Sequence, residues 1–324
     1  MEFVVLIIVL ILRSLLNLLP NRHHDSWFLV LKGKAVTLFK QRAPHLYDVV
    51  PEESVENKKN SAHRYSGAGW FSGTGVFVVS VLAPVAVLSI LMSVLDDFFW
   101  GLPAVAVSVL VLLYSMGRKD SAYWLTRFQI AWRQKDLQGA FQYASEVLPR
   151  DAIQDEKQLY QHVFSRLIKI DFQDFFLITF WFMVFGAEGA LLARLIILFC
   201  EDYIDEVVTP SEQVTTNDKV RTVRYVFEWL PARLVGLSFM LVGHFVCYSQ
   251  QWLSTLFNRS LTHEALLTQF ALGALGEKVE GADNDIFQGI DDAQKDEQLQ
   301  DLESLLHRSS ILWVVCISLF VALI

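Results

Sequence analysis

Two stretches of this chain carry no charged side chain over the length of a bilayer crossing. A spanning helix needs ~20 mainly apolar residues. Gly75–Leu95 supplies 21 and Phe98–Gly117 supplies 20. Only Asp96 and Asp97 separate them, so they are expected to pair as a tight helical hairpin, with Pro84 as a kink in the first. Lipid offers the backbone no hydrogen-bond partner, which restricts such runs to helix. Composition agrees: 53% of the 324 residues are hydrophobic and 19% charged, where soluble domains carry about 25% charged. An apolar excess of this size excludes disorder. A formal charge of −8 argues against nucleic-acid binding.

Further runs extend the pattern. Phe175–Cys200 is long enough to cross but is interrupted at Gly186-Ala187-Glu188-Gly189 and carries Arg194. It reads either as one irregular span or as two half-helices turning at the glycines. Ser309–Ile324 has 16 apolar or small residues, a rise of ~24 Å as helix. Leu234–Tyr248, at 15 residues, is expected to be buried among the others. Phe3–Leu19 reads as a membrane or interfacial helix. Glu2 stands where a signal peptide has basic residues, and no small-residue cleavage site follows. The expected fold is all-α and polytopic, with about 4–6 membrane helices and a cytoplasmic helical region.

Basic residues orient it. Residues 20–72 hold 8 Lys+Arg and 118–170 hold 9, of 27 in all. Cytoplasmic flanks are enriched in Lys and Arg, so both stretches are placed in the cytoplasm and Asp96-Asp97 outside, with the lipid bilayer as partner. The chain then divides into an N-terminal membrane or interfacial helix (1–20), a basic cytoplasmic segment (21–72), the hairpin (73–117), a cytoplasmic helical region (118–173), membrane segments with a glycine turn (174–252), an acidic loop region (253–308) and a C-terminal membrane helix (309–324). Within the cytoplasmic region, Ser121–Leu148 and Gln154–Lys169 have helical periodicity, with Pro149 between them. Glu277–Glu303 contains 10 acidic residues and 2 lysines, which is −8 by itself. It reads as a solvated loop, since Asp283-Asn284-Asp285 departs from the calcium-loop pattern.

Chemical motifs are scarce. Cys200, Cys247 and Cys316 sit in or beside apolar runs and suit inert thiols. No Walker loop, G-x-S-x-G or H-E-x-x-H occurs, so no metal or cofactor is expected, and no feature specifies an oligomeric state. Ionisable groups in membrane runs are the remaining signal, because burying a charge there costs ~2.5 kcal/mol or more. Glu188, Arg194, Arg233 and His244 meet that description, with internal pairing of Arg194 to Glu188 or Glu201 as the structural alternative. In Glu228-Trp229-Leu230-Pro231-Ala232-Arg233-Leu234, Pro231 suits the first turn of a helix. Gly236 and Gly243 then share a face that lets another helix approach closely.

The string Trp229–Leu234, followed by Gly236, resembles the W-[IVL]-P-[AV]-R-L signature of the CobD/CbiB-like superfamily. Phe180–Arg194 is similar to its glycine-turn segment through Gly186, Gly189 and Arg194. Within that superfamily the closer resemblance is to the AmpE family. It is carried by the hairpin, Tyr123-Trp-Leu-Thr-Arg127, Val242-Gly243-His244, Leu267-Thr-Gln-Phe-Ala271 and the C-terminal span. The resemblance implies a multi-pass inner-membrane regulator in β-lactamase induction and peptidoglycan-recycling signalling, non-catalytic and linked to the pathway of the cytosolic AmpD-type amidase. The alternative branch is adenosylcobinamide-phosphate synthase, a membrane enzyme of cobalamin biosynthesis. Its Glu-Asn-x-Ser-Asp-Gly string reads Lys169-Ile170-Asp171-Phe172-Gln173-Asp174 here. That activity would need Asp171, Asp174, Glu201 and Asp202 as substitutes.

Overall fold

A computed structural model describes residues 2–16, 25–42, 75–96, 101–116, 120–145, 148, 156–205, 213–243, 262–276 and 292–323. Among the described residues all regular structure is helical, as the uncharged runs demand. The helices are α1 (Glu2–Leu16), α2 (Ser26–Arg42), α3 (Gly75–Asp96), α4 (Leu102–Ser115), α5 (Asp120–Arg133), α6 (Leu137–Ala144), α7 (Glu156–Asp171), α8 (Ile178–Asp205), α9 (Gln213–Val242), α10 (His263–Ala274) and α11 (Asp292–Leu323). Four stretches are long and apolar enough to cross a membrane: Gly75–Asp96, Leu159–Glu201, Thr222–Val242 and Lys295–Phe320. The fold is therefore that of an all-α polytopic membrane protein. The first of these is only 17% buried while Leu159–Glu201 is 56% buried, so α3 offers its sides to lipid and the α7–α8 stretch forms core. By packing, the chain separates into two compact units: Met1–Leu12, Leu18–Met116 and Trp181–Phe227 in one, and Arg13–Asn17, Gly117–Phe180 and Glu228–Ile324 in the other.

In the first unit the hairpin forms as the sequence expects, with α3 packed on α4. Pro84 has no N–H to give the carbonyl four residues back, and its ring crowds that carbonyl. The ladder widens into a π turn at Val78–Leu82, where Ala83 N–H reaches the Val78 carbonyl. Gly101, at φ +75°, opens α4 in a left-handed conformation that suits glycine. The core joins Phe28 and Ala35 of α2, Val76, Val81 and Leu88 of α3, and Leu191, Leu195 and Phe199 of α8. Val87, Ile90 and Val94 of α3 remain exposed, as lipid-facing positions would.

Gly186 decides the shape of α8. Its φ of +66° and ψ of −149° lie outside any helical region, in a zone that is costly for every residue but glycine. Three residues later, a Cβ on Gly189 would lie 2.9 Å from the carbonyl carbon of Trp181 and 2.8 Å from the Phe185 Cβ. On an unbroken helix, positions eight apart are ~12 Å distant. The chain thus bends sharply back at Gly186, and the half-helix alternative is the one adopted. Trp181 is held there between Phe185 and Phe227, in stacks of 5.6 Å and 4.3 Å.

The second unit holds the helices read as cytoplasmic. The helix expected over Ser121–Leu148 is divided: Lys135 turns the chain at φ +56°. Asp136 then caps α6, its carboxylate accepting the Gly139 N–H at 3.0 Å. A ladder of rings, Phe128, Trp132, Tyr160 and Phe164, runs from α5 onto α7. α11 closes over it. The Tyr160 hydroxyl reaches the Lys295 carbonyl at 2.9 Å and Gln298 Oε1 at 3.0 Å. Arg133 pairs with Asp296 at 2.8 Å, and the Lys295 ammonium sits 5.3 Å over the Trp132 ring. Two expectations change here. From Asp292 the acidic stretch is helix rather than loop, because Lys295, Gln298, Leu299, Leu302, Leu305, Leu306 and Ser309 form one buried stripe. The region read as an acidic loop also contains α10, whose Leu266, Leu267, Phe270, Ala271 and Leu272 are fully or almost fully buried.

The glycines give a stability test. Gly33 of α2 has open space where a Cβ would go, so Gly33→Ala should raise stability by ~1 kcal/mol through helix propensity. Gly189→Ala should lower it by ~1–3 kcal/mol through overpacking. Thermal unfolding in detergent micelles separates the two, and equal effects would remove the close approach at Gly189.

Candidate functional site

Arg194 lies on the apolar helix α8, with its side chain only 16% exposed. Its Nη2 donates to Asp25 Oδ2 at 2.9 Å. Asp25 stands immediately before α2, where its backbone carbonyl accepts the Phe28 and Leu29 N–H groups at 3.0 and 3.3 Å. The other carboxylate oxygen accepts the Tyr114 hydroxyl at 3.0 Å, and that hydroxyl accepts Trp27 Nε1–H at 2.9 Å. The result is a directed chain of donors, indole to phenol to carboxylate, with the guanidinium closing it. Asp25 is 31% and Arg194 16% exposed at the side chain, so water screens the pair only in part. The network draws together the start of α2, the last turn of α4 and the returning half of α8. The sequence expectation gave Arg194 a partner on its own helix, Glu188 or Glu201. The structure gives it Asp25.

Glu188 lies instead at the bend. A Cβ built on Gly186 would meet Glu188 Oε2 and Glu2 Oε1, each at 3.4 Å. Two carboxylates from separate helices therefore flank the one non-helical residue of α8. Its backbone angles, rather than a lack of space, are what call for glycine at Gly186.

In the second unit, the Trp229–Leu234 string lies well inside α9, not at a helix start. The helix begins at Gln213 and holds Pro231 in its interior, which corrects the first-turn reading of that proline. A proline there leaves one carbonyl of the preceding turn without its N–H. Arg233 folds back on this stretch: Nη1 donates to the Trp229 carbonyl at 2.9 Å, and the guanidinium lies 4.2 Å over the Trp229 ring. Arg233 and Glu228 are both buried. The glycine face behaves as expected. A Cβ at Gly236 would strike the Phe270 ring at 2.6 Å, and one at Gly243 the Ala274 Cβ at 2.6 Å. α10 is thus the helix that the two glycines admit. It is tied to α7 by Lys169–Glu264 at 3.2 Å and by Thr268–Ser165 at 3.3 Å. His244 lies outside the described residues.

Arg194 belongs to the Asp25 network, Glu188, Gly186 and Gly189 to the bend, and Glu228, Pro231 and Arg233 to α9. Among the described residues no three His, Cys, Asp or Glu side chains gather as a metal site would require. Asp25, Tyr114, Trp27 and Glu2 were not singled out by sequence, because each meets its partner across long stretches of chain; Asp25 and Arg194 are 169 positions apart. The arrangement can hold helices in register through charge-assisted hydrogen bonds.

Residues 69–286 match the family described as "Regulatory signalling modulator protein AmpE". The Shigella flexneri protein "Protein AmpE" is 21% identical over 194 residues, covering 58% of this chain and 68% of that relative. No solved structure matches.

The Asp25–Arg194 pair makes a double-mutant cycle informative. Asp25→Ala should cost ~1–3 kcal/mol, discounted from the fully buried case for its partial exposure. Adding Arg194→Ala should recover part of that loss, since no uncompensated charge then remains. Unfolding temperatures in detergent measure the coupling, and strictly additive effects would show that the pair contributes nothing.

Proposed function

This chain belongs to the AmpE family of regulatory signalling modulators, and on that premise we propose a non-catalytic role in β-lactamase induction and peptidoglycan-recycling signalling at the bacterial inner membrane. The observation that carries the reading is the family match across residues 69–286. Helices apolar enough to cross a membrane accompany it. The charged groups on those helices suit such a role. Arg194 is engaged by Asp25, which ties α8 to the start of α2, and Arg233 folds onto Trp229 within its own helix. A link to the pathway of an AmpD-type amidase follows from the same family reading. Placement within the CobD/CbiB-like superfamily is also our proposal and rests on the Trp229–Leu234 string with Gly186, Gly189 and Arg194.

The enzyme alternative asks Asp171 and Asp174 to hold a cation beside a phosphate. Both carboxylates lie within electrostatic reach of the Arg13 guanidinium, which offsets part of their charge. Deleting the gene and following β-lactamase induction and muropeptide pools tests the regulatory role. Induction and pools should both shift. If neither changes across several inducers, the proposed role is lost. Rescue of a synthase-deficient strain by this gene would put the enzyme reading in its place.

A further inference from the structure

α2 carries an apolar side that the protein's own core leaves uncovered. The helix packs inward through Phe28, Lys32 and Ala35, all buried. On another side Trp27, Val30, Lys34 and Leu38 follow at helical spacing, all exposed. Trp27 is 41% exposed, Val30 56% and Leu38 62%. α2 also contains Lys32, Lys40 and Arg42, and it is not among the described helices apolar enough to cross a membrane. It is too charged to span and presents too much apolar surface for water alone.

Three observations indicate what covers it. Trp27 Nε1 donates to the Tyr114 hydroxyl at 2.9 Å, at the last turn of α4. Trp and Tyr favour the headgroup level, where the ring meets acyl chains and the polar atom meets water. The pair therefore sets the start of α2 at the membrane boundary, on the side where the basic stretch 118–170 follows α4. Second, α2 packs on the π turn of α3, whose Val78 and Leu82 are exposed, so its apolar side extends the lipid-facing surface of the hairpin. Third, Lys34 sits within the stripe. A second protein copy seated there would bury that ammonium among apolar groups at high cost, whereas at headgroup level its stem is covered and its charge stays hydrated.

We propose that α2 is an interfacial helix that seats Trp27, Val30 and Leu38 in the cytoplasmic leaflet and places Lys34 among anionic lipid headgroups. Amphipathic helices of this kind bind through buried apolar area together with attraction to anionic lipid. The test uses the full chain with Cys200, Cys247 and Cys316 replaced by Ser, in nanodiscs of mixed phosphatidylglycerol and phosphatidylethanolamine. A single spin label is placed at Val30, with Ile90 of α3 as the lipid reference and Gln138 of α6 as the water reference. The reference labels also report that the variant has folded. At Val30, oxygen accessibility should approach that at Ile90, and accessibility to a water-soluble nickel complex should fall several-fold below that at Gln138. Exchanging the lipids for phosphatidylcholine, or introducing Lys34→Glu, should move the label towards water. A water-like reading at Val30 overturns the proposal. Shielding from both reagents overturns it too, in favour of a protein partner. A depth indifferent both to lipid charge and to Lys34→Glu refutes the headgroup contact.

Discussion

An arginine on an apolar helix has to be neutralised, and in this protein the residue that neutralises Arg194 comes from the far end of the chain. Asp25 meets the guanidinium at 2.9 Å while accepting the Tyr114 hydroxyl at 3.0 Å. Low surrounding dielectric strengthens each bond and makes each costly to leave unmade. One carboxylate thereby fixes the start of α2, the end of α4 and the return of α8. The core of Phe28, Val81, Leu195 and Phe199 fills the space between those same elements. Dispersion and burial supply the bulk of the attraction, but they are non-directional. The directed network specifies which helix faces meet.

Glycine sets the second constraint. Gly186 adopts backbone angles closed to other residues, and Gly189 lets the chain lie against the carbonyl of Trp181. Without both, the apolar run from residue 159 to residue 201 would continue as a rod of ~65 Å, about twice the hydrocarbon thickness. Gly236 and Gly243 act differently, by removing side chains so that α10 can approach α9. The first pair bends a helix; the second pair seats one.

Much of the fold was legible because lipid simplifies the problem. The hairpin, the break at the glycines and the close approach at Gly236 and Gly243 each follow from a local pattern. Other features were present in the sequence but masked by a stronger signal. Leu299, Leu302, Leu305 and Leu306 recur at helical spacing inside the acidic stretch, yet its charge density reads as loop. Asp296, Glu297, Asp301 and Glu303 lie on other faces of the same helix, with Asp296 paired to Arg133. The 12-residue α10 was hidden for a related reason. It is too short to register as a span, although it is nearly all buried. Pro231 was misplaced because a proline within α9 is held by tertiary packing, against the ordinary preference for a first turn.

The sequence alone determined the class of the protein, its basic flanks and the apolar runs, since these depend on composition and period. It also carried the family resemblance, in short motifs ordered along the chain. Which charge meets which was decided only by the tertiary structure. Arg194 with Asp25, Glu188 beside Glu2, and Tyr160 under Lys295 and Gln298 are contacts between distant positions. Helical periodicity states which face a residue occupies but not which helix lies opposite. Ion pairs and hydrogen bonds act over a few ångströms, so their partners are settled only when the helices have docked.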